Sequence, residues 1–300
     1  GTLGTKCNTQ VVLPHKTESY GDSVDPPEDT IAMCTLRHFP NQIEHCIEWA
    51  RDVFEGAFTT GAQGACTYVK DQKAFMDTVE AEANYATRRA MLERVIAALA
   101  TARAATFEQC VVIARKLFHE HFYMKISQLL HNFPADYVDP KNGTKFWSGP
   151  KRAPVALEFD PDDEGHFAFV VAAAHLAANT FGVTPPAGSR TPEVLKPMLQ
   201  RVSVPPFVPK KVGIKASDED KTEEGGDDDV KVCAELTAEL DALDKKAVSR
   251  LTIVPQEFEK DDDTNYHIDF IAATANLRAR NYAIKEASKH QVKMIAGKII

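Results

Sequence analysis

The feature that most constrains this chain is a series of segments whose apolar residues recur at the spacing of an α-helix. The strongest covers 106–130, and Thr106 followed by Gln109 matches a capping box at its start. Similar patterns predict further helices over 43–58, 74–81, 88–101, 165–182, 191–202, 230–248 and 267–282. A short strand is predicted over 8–14. The pattern therefore favours a mainly α fold.

Two proline-containing connections flank this helical region. The first covers 17–29 and includes Asp25-Pro26-Pro27, and the second covers 255–264. Prolines make such segments semi-stiff, as in linkers between domains. The run Asp261-Asp262-Asp263-Thr264 is suited to capping the helix that follows. Both ends of the chain read as edges of a neighbouring domain, so we expect a segment of a longer protein.

The net charge of −8 comes almost entirely from one segment. Residues 217–229 hold eight acidic residues and one lysine, a net charge of −7, which leaves −1 for the rest of the chain. Such a segment cannot bury apolar surface, so it predicts a solvated loop. A nucleic-acid partner would need a basic face. A membrane-spanning helix needs about 18 consecutive apolar residues. The sequence has neither, and we expect no nucleic-acid or membrane partner.

The cysteines predict neither a metal site nor a disulfide framework. None of the six belongs to a C-x-x-C pair, which argues against zinc. Cys46 and Cys110 lie on apolar helical faces and are predicted to be buried thiols. A chain of this size without a visible secretory signal fits a reducing intracellular compartment.

Cys34 is different, because it lies outside every periodic segment. It stands between a loop and a helix expected to start near Pro40 or Asn41. Arg37 and that helix N-terminus would favour its thiolate. The position alone is more typical of a structural or incidental cysteine.

The segment His119-Glu120-His121 is a weaker candidate for chemistry. It is not H-E-x-x-H, and side chains two residues apart on a helix point about 200° apart. We interpret it as a polar helix face with one half-buried histidine.

Several motifs, in collinear order over nearly the whole chain, resemble the ubiquitin-activating enzyme family. The N-terminal ones are 1–6, 8–12, 17–20, 25–28, 34–37, 39–41, 44–45 and 49–52. The later ones are 146–152, 260–265, 269–271, 276–279 and 295–300. Cys7 and Ala32 depart from the family pattern, which has glycine and proline there. Neither change removes a group that the chemistry needs.

The resemblance implies a multi-helical catalytic-cysteine domain, the second catalytic cysteine half-domain, with few short strands. Remnants of a flanking α/β adenylation domain are expected at both ends. The implied boundaries are an adenylation-domain end over 1–20, a crossover linker over 21–33, the helical domain over 34–254 with its acidic loop over 216–229, a return linker over 255–266, and a helical segment over 267–300 that returns to the adenylation domain.

The resemblance also implies the chemistry. The family uses MgATP to adenylate the C-terminus of ubiquitin, and a cysteine thiolate then attacks the acyl adenylate to form a thioester. That thioester passes to a ubiquitin-conjugating enzyme. Cys34 is the implied nucleophile, and Thr35 and Arg37 are hypothesised helpers through hydrogen bonding and positive charge near the oxyanion.

The implied partners are ubiquitin, conjugating enzymes and the adenylation domain of the same chain, in a monomeric enzyme of the cytoplasm and nucleus. No cofactor or metal is expected within this segment, and MgATP is expected to bind elsewhere in the full-length enzyme. We therefore expect the segment alone to be inactive. The alternatives are a non-catalytic helical interaction module, a cysteine hydrolase, or activation of another ubiquitin-like modifier.

Overall fold

The computed structural model describes residues 2–3, 6–7, 11–17, 33–140, 143–210 and 227–297, with the backbone alone for 2–3, 6–7, 33–34 and 227. Most of this part of the chain is helical, which confirms the predicted mainly α fold. The helices are α1 Met33–His38, α2 Ile43–Phe54, α3 Thr60–Lys70, α4 Gln72–Ala81, α5 Tyr85–Arg103, α6 Phe107–Phe118, α7 Lys125–Asn132, α8 Glu164–Thr180, α9 Pro192–Leu199, α10 Asp227–Asp241, α11 Lys245–Val248, α12 His267–Asn281 and α13 Lys289–Ala296.

Two stretches of π-helix affect the helices predicted over 43–58 and 106–130. One, Glu55–Thr59, joins α2 to α3, and the other, His119–Met124, joins α6 to α7. The helix predicted over 106–130 is therefore continuous but not uniform. Its start is as predicted, because the Thr106 hydroxyl accepts a hydrogen bond from the Gln109 amide at 3.2 Å.

The buried apolar residues form two groups. We call the first cluster the core between α1, α2, α6, α8, α9, α12 and α13. Helix α8 lies at its centre between α6 and α12, and eleven of its seventeen residues are buried, which explains why it is apolar on all sides. The second cluster is the smaller core between α3, α4, α5, α10 and α11.

The predicted second connection is tied to the helices by its backbone. The Val254 amide donates to the Thr180 carbonyl at 2.7 Å, and the Gln256 amide donates to the Phe58 carbonyl at 3.1 Å. The Thr59 hydroxyl donates to the Gln256 carbonyl at 2.5 Å. The start of this connection therefore runs along the first cluster.

The strand and the acidic loop need correction. The described part of the predicted strand, 11–13, is irregular and exposed, while residues 8–10 lie outside the described residues. The described strands, Thr2–Leu3 and Lys6–Cys7, pair antiparallel nearer the N-terminus. Residues 227–229 of the predicted acidic loop start α10 instead, where Asp229 pairs with Arg89 at 3.2 Å. Residues 216–226 lie outside the described residues.

Three helix boundaries also differ from the prediction. Helix α2 starts after Gln42, not at Pro40 or Asn41. The helix predicted over 230–248 ends at Asp241, and the carboxylate of Asp244 caps α11. Asp262 does not cap α12, because its carboxylate accepts hydrogen bonds from the Thr264 amide and hydroxyl. Asp244 and Asp262 thus both accept hydrogen bonds from nearby residues of their own turns, as aspartate commonly does.

Candidate functional site

Cys34 is the second residue of α1, a six-residue helix that the periodicity did not predict. The expectation that Cys34 lies in a loop before a helix is therefore wrong, although its side chain lies outside the described residues. Leu36, only 4% exposed, inserts α1 into the first cluster. Thr35 is half-buried and Arg37 is exposed. The three candidate residues thus share one short helix docked on the core.

Two side chains from α12 and its C-terminus hold the end of α1. Arg278 Nη2 donates to the carbonyl oxygens of Leu36 at 3.1 Å and Arg37 at 2.6 Å. The Tyr282 hydroxyl donates to the carbonyl oxygen of His38 at 2.8 Å. The last carbonyls of a helix have no partner within it, and a positive charge there is favourable. These bonds therefore stabilise α1 at the end away from Cys34.

Arg278 is an unusual buried cation. It is 3% exposed, and no described carboxylate lies within ion-pair distance of it. Its guanidinium carbon lies 4.0 Å from the ring centroid of Trp49 and 5.3 Å from that of Tyr282. Desolvation lowers the pKa of Arg278. The aromatic faces and the α1 carbonyls thus take the place of a counter-ion.

Several basic groups surround this anchor. Desolvation, together with the charges of Arg278, Arg37 and Lys125, lowers the pKa of His38 to about 4. Desolvation and the charges of Lys125 and Arg278 also lower the pKa of His121 well below its ordinary value. Both imidazoles are therefore neutral at physiological pH. The surroundings of α1 carry more positive than negative charge, a setting that favours an anionic nucleophile.

An aromatic group fixes the chain directly after α1. Phe39 is 2% exposed, and its ring contacts those of Phe146 and Trp147 at centroid distances of 5.6 and 5.9 Å. The Lys151 ammonium lies 4.7 Å from the Phe39 centroid and 4.8 Å from the Phe146 centroid. The loop predicted over 134–154 thus packs against the segment that follows the candidate cysteine.

The anchoring residues were missed by sequence reasoning. Arg278 belongs to the motif 276–279, which carried the resemblance but had no assigned role. The sequence gives no signal that singles it out, because Arg280 lies two residues further on and flanks Ala279 in the same way, yet it is half-buried and pairs with Asp163 and Glu286. The Arg37 side chain, by contrast, forms no hydrogen bond or ion pair with the described residues.

The other described thiols are poor nucleophiles. Burial raises the pKa of Cys46 to about 12 and that of Cys110 to about 11, which confirms that they are buried structural thiols. Burial also raises the pKa of Cys66 and Cys233. These cysteines are therefore protonated at physiological pH and chemically quiet.

The histidine pair differs in part from the interpretation based on its spacing. His121 is half-buried and its ring meets Trp49 edge to face at 5.5 Å, but His119 is half-buried as well, with its Nε2 2.8 Å from the Pro205 carbonyl oxygen and its ring stacked on that of Tyr123 at 5.1 Å. No three His, Cys, Asp or Glu side chains gather to hold a metal ion in the described part of the chain. Among the helices described, none is long and apolar enough to cross a membrane.

Comparison with known proteins places this architecture in one family. The family model described as "Ubiquitin-activating enzyme, SCCH domain" matches residues 40–293. "Ubiquitin-like modifier-activating enzyme 1" of Dictyostelium discoideum is 46% identical, and its human counterpart is 44% identical, over 100% of this chain. "Ubiquitin-activating enzyme E1 1" of Schizosaccharomyces pombe is also 44% identical over 100% of the chain. The chain spans 28–29% of the length of these relatives. It therefore belongs to the ubiquitin-activating enzyme family and carries its SCCH domain.

Proposed function

We propose that this chain is the cysteine-bearing part of a ubiquitin-activating enzyme and that Cys34 accepts ubiquitin as a thioester. The observation that carries the proposal is the attachment of α1. Arg278 and Tyr282 bond to the last three carbonyls of this short helix, while Cys34 occupies its first turn. A nucleophile that meets an already activated acyl group needs a defined position more than an extreme pKa.

The proposed step is an acyl transfer. The Cys34 thiolate attacks the terminal carbonyl carbon of ubiquitin adenylate, the sulfur–carbon bond forms, and the carbon–oxygen bond to AMP breaks. The AMP leaves with the bonding electrons. A cysteine thiolate of a conjugating enzyme then attacks the same carbonyl carbon and releases Cys34. MgATP is the substrate from which the full-length enzyme forms the adenylate.

Thr35 and Arg37 are the proposed helpers of this step. The position of Arg37 supports its role, because it is exposed, three residues from Cys34 on the same helix, and without a described ion-pair partner. Residues i and i+3 lie on neighbouring positions of a helix face. A guanidinium with no partner among the described residues can approach the developing oxyanion from there.

The proposed movement of the domain uses the segments 21–33 and 255–264 as hinges. Cys34 has to reach the adenylate on the adenylation domain of the same full-length chain, and hinge segments absorb such rotations. The second segment is held on both sides by the first cluster, through the Gln256 amide that donates to the Phe58 carbonyl and the Glu259 amide that donates to Nδ1 of His267 in α12, so its bending requires that such bonds break.

The test uses the full-length protein with ubiquitin and MgATP. Wild type, Cys34→Ala and Cys66→Ala would be incubated and separated on a non-reducing gel, with pyrophosphate exchange measured in parallel. Cys66 is the matched control, because it is a half-buried thiol of the second cluster whose Sγ donates to the Ile253 carbonyl at 3.3 Å. We expect a thiol-sensitive adduct in wild type and Cys66→Ala and none in Cys34→Ala, with exchange intact in all three. An adduct that survives in Cys34→Ala refutes the proposal.

A second substitution tests the helper role of Arg37. In Arg37→Ala, we expect thioester formation to slow by about 10- to 100-fold, which is less than the loss of about 100- to 1,000-fold for a preorganised oxyanion-hole donor because Arg37 is exposed. Stability should stay unchanged because the side chain is exposed. Arg201→Ala, another exposed arginine without a described ion pair, is the control. Equal rates in the two variants would remove Arg37 from the mechanism.

A further inference from the structure

We propose that Arg278 and Tyr282 are positioning residues for the acceptor thiol, which hold α1 in the orientation that thioester formation requires. The inference rests on the proposed role of Cys34 and extends it to two residues more than 240 positions away in the sequence. Neither residue is assigned a direct contact with ubiquitin or the adenylate. Their effect on the reaction passes through the backbone of α1.

The first argument is that the C-terminus of α12 is itself rigidly held. The Asn281 side-chain amide donates to the carbonyl oxygens of Phe122 at 3.1 Å and Val155 at 2.6 Å. In return, the Val155 amide donates to the Asn281 carbonyl oxygen at 2.7 Å. Arg278 and Tyr282 therefore project from a fixed support, so the position of that support determines where the end of α1 lies.

The second argument concerns the groups to which Arg278 donates its hydrogen bonds. Its two described bonds both go to α1, its Nε has no partner, and no described carboxylate pairs with it. A buried charge costs desolvation free energy, and apolar residues of similar volume often stabilise a core at least as well. An arginine here thus adds little stability beyond that of its two hydrogen bonds. One nitrogen, Nη2, that donates to two successive carbonyls does define the axial position of a helix.

The third argument is that α1 needs such support. It has six residues, and isolated helices shorter than about 12–15 residues are marginal in water. Among the described side chains of α1, Leu36 is the one that belongs to the first cluster, so one described apolar contact and three described hydrogen bonds hold the helix. Loss of one bond should let α1 tilt or fray without unfolding the domain.

A buried tyrosine in the second cluster offers a matched control. The Tyr68 hydroxyl donates to the Leu240 carbonyl oxygen at 2.7 Å, and Tyr68 is 5% exposed. Tyr282 is 1% exposed and donates at 2.8 Å. Each residue loses one hydroxyl-to-carbonyl bond when it is changed to Phe, and Tyr68 also loses the bond that its hydroxyl accepts from Gln72 Nε2 at 2.6 Å. Tyr68→Phe is therefore the stricter control for stability, and the two variants differ in whether the carbonyl acceptor belongs to α1.

The experiment compares Tyr282→Phe with Tyr68→Phe in the full-length enzyme. The thermal midpoint, pyrophosphate exchange and the single-turnover rate of thioester formation would be measured for each. We expect similar midpoints and unchanged exchange, with thioester formation about 10-fold slower in Tyr282→Phe alone, because misplacement of a reacting group is costly. Equal thioester rates in the two variants would overturn the positioning role.

Substitutions of Arg278 add a graded test. Arg278→Met removes both bonds and should slow thioester formation by up to about 100-fold, and Arg278→Lys, which keeps a donor and the charge, should recover part of that rate. A rate in Arg278→Lys no higher than in Arg278→Met would contradict the positioning account. If Arg278→Met fails to fold, the tyrosine pair decides.

Failure of this inference is distinguishable from failure of the proposed function. If Cys34 is not the acceptor, the adduct persists in Cys34→Ala. If Cys34 is the acceptor and Tyr282 does not position it, Cys34→Ala forms no adduct while Tyr282→Phe and Tyr68→Phe react at the same rate.

Discussion

The two clusters of this domain are both built from α-helices, but they differ in where their charged and polar side chains lie. The second cluster packs apolar residues and places its ion pairs at the surface, as between Arg89 and Glu93. The first cluster buries charge and imidazole groups, including Arg278 and His267. Each cluster also holds a short helix, α1 with six residues and α11 with four. The apolar side chain of Val248 packs α11 into the second cluster, whereas Arg278 and Tyr282 hydrogen-bond to the end of α1. The comparison teaches that the first cluster uses buried polar groups to hold a short helix where the second cluster uses an apolar contact.

The largest expected effect on stability comes from removing an aromatic ring from the core of the first cluster. Phe270 is fully buried, and its ring lies 5.2 Å from that of Phe58 and 5.4 Å from that of Phe169. Phe270→Ala should lower the free energy of unfolding by about 3–5 kcal/mol. Both tryptophans, Trp49 and Trp147, pack in or beside the first cluster, so tryptophan fluorescence during urea unfolding reports on it.

Phe75→Ala is the matched change in the second cluster, where this ring is 4% exposed and lies 5.8 Å from that of Tyr68. In this variant, the urea midpoint measured by circular dichroism should fall more than the midpoint measured by tryptophan fluorescence. Identical shifts of both signals in both variants would show that the clusters unfold as one unit.

Acid should destabilise the first cluster selectively. The folded state lowers the pKa of His38 to about 4, whereas the unfolded chain protonates it near pH 6.5. Between these two pH values the unfolded state thus binds more protons than the folded state. The contribution of neutral His38 to the free energy of unfolding is therefore complete above pH 6.5 and is lost as the pH falls towards 4. At pH 5 the loss is about 2 kcal/mol. The pKa values of five other histidines of this region are also lowered, namely His45, His121, His166, His175 and His267.

The second cluster supplies the internal control for acid, because its five helices contain no histidine. Between pH 7 and pH 5, the fluorescence midpoint in urea should fall, and His38→Asn should reduce the fall. The same pH dependence in wild type and His38→Asn would mean that His38 is not held neutral in the folded protein.

The next effect concerns the buried cation. Arg278→Met leaves the carbonyls of Leu36 and Arg37 without their donor, so the free energy of unfolding should drop by about 1–2 kcal/mol. Arg89→Met removes exposed ion pairs with Glu93 at 2.8 Å and Asp229 at 3.2 Å, and it should produce no resolvable change. Urea unfolding measures both. Equal destabilisation by the two changes would erase the distinction between buried and surface charge.

The smallest expected effect is the loss of a helix N-cap, which should destabilise the two clusters to a similar extent. Thr106 caps α6 in the first cluster, and Asn84 caps α5 in the second, where its side-chain oxygen accepts from the Ala86 amide at 2.8 Å. Thr106→Ala and Asn84→Ala should each cost about 1 kcal/mol in urea unfolding. A loss confined to one of them would place the difference between the clusters in their helix ends rather than in their buried polar groups.

The sequence predicts the long elements of this fold well, for a physical reason. A helix such as α6 repeats its apolar face over several turns, and Cys110 lies on that face, so its burial follows from the spacing. The π-helical stretch Glu55–Thr59 carries no such signal, because it changes the period for about one turn.

The candidate site is harder to predict, because its helix is short and the residues that contact it are distant in the sequence. Helix α1 spans too few residues to show a period. Arg278 lies 241 residues from Arg37, whose carbonyl it binds. The resemblance to a family singled out Cys34 and the motif around Arg278, but nothing in the sequence relates the two. Only the folded chain brings them together.

The most direct test of the central claim is to locate the acyl group. The full-length enzyme would be loaded with ubiquitin and MgATP, digested briefly with trypsin at near-neutral pH without reductant, acidified to preserve the thioester, and mapped by mass spectrometry. Cleavage after Lys16 and Arg37 yields a peptide that contains Cys34 as its sole cysteine. We predict that the modifier-derived remnant lies on this peptide. A remnant on a peptide that contains Cys46, Cys66, Cys110 or Cys233 would contradict the account.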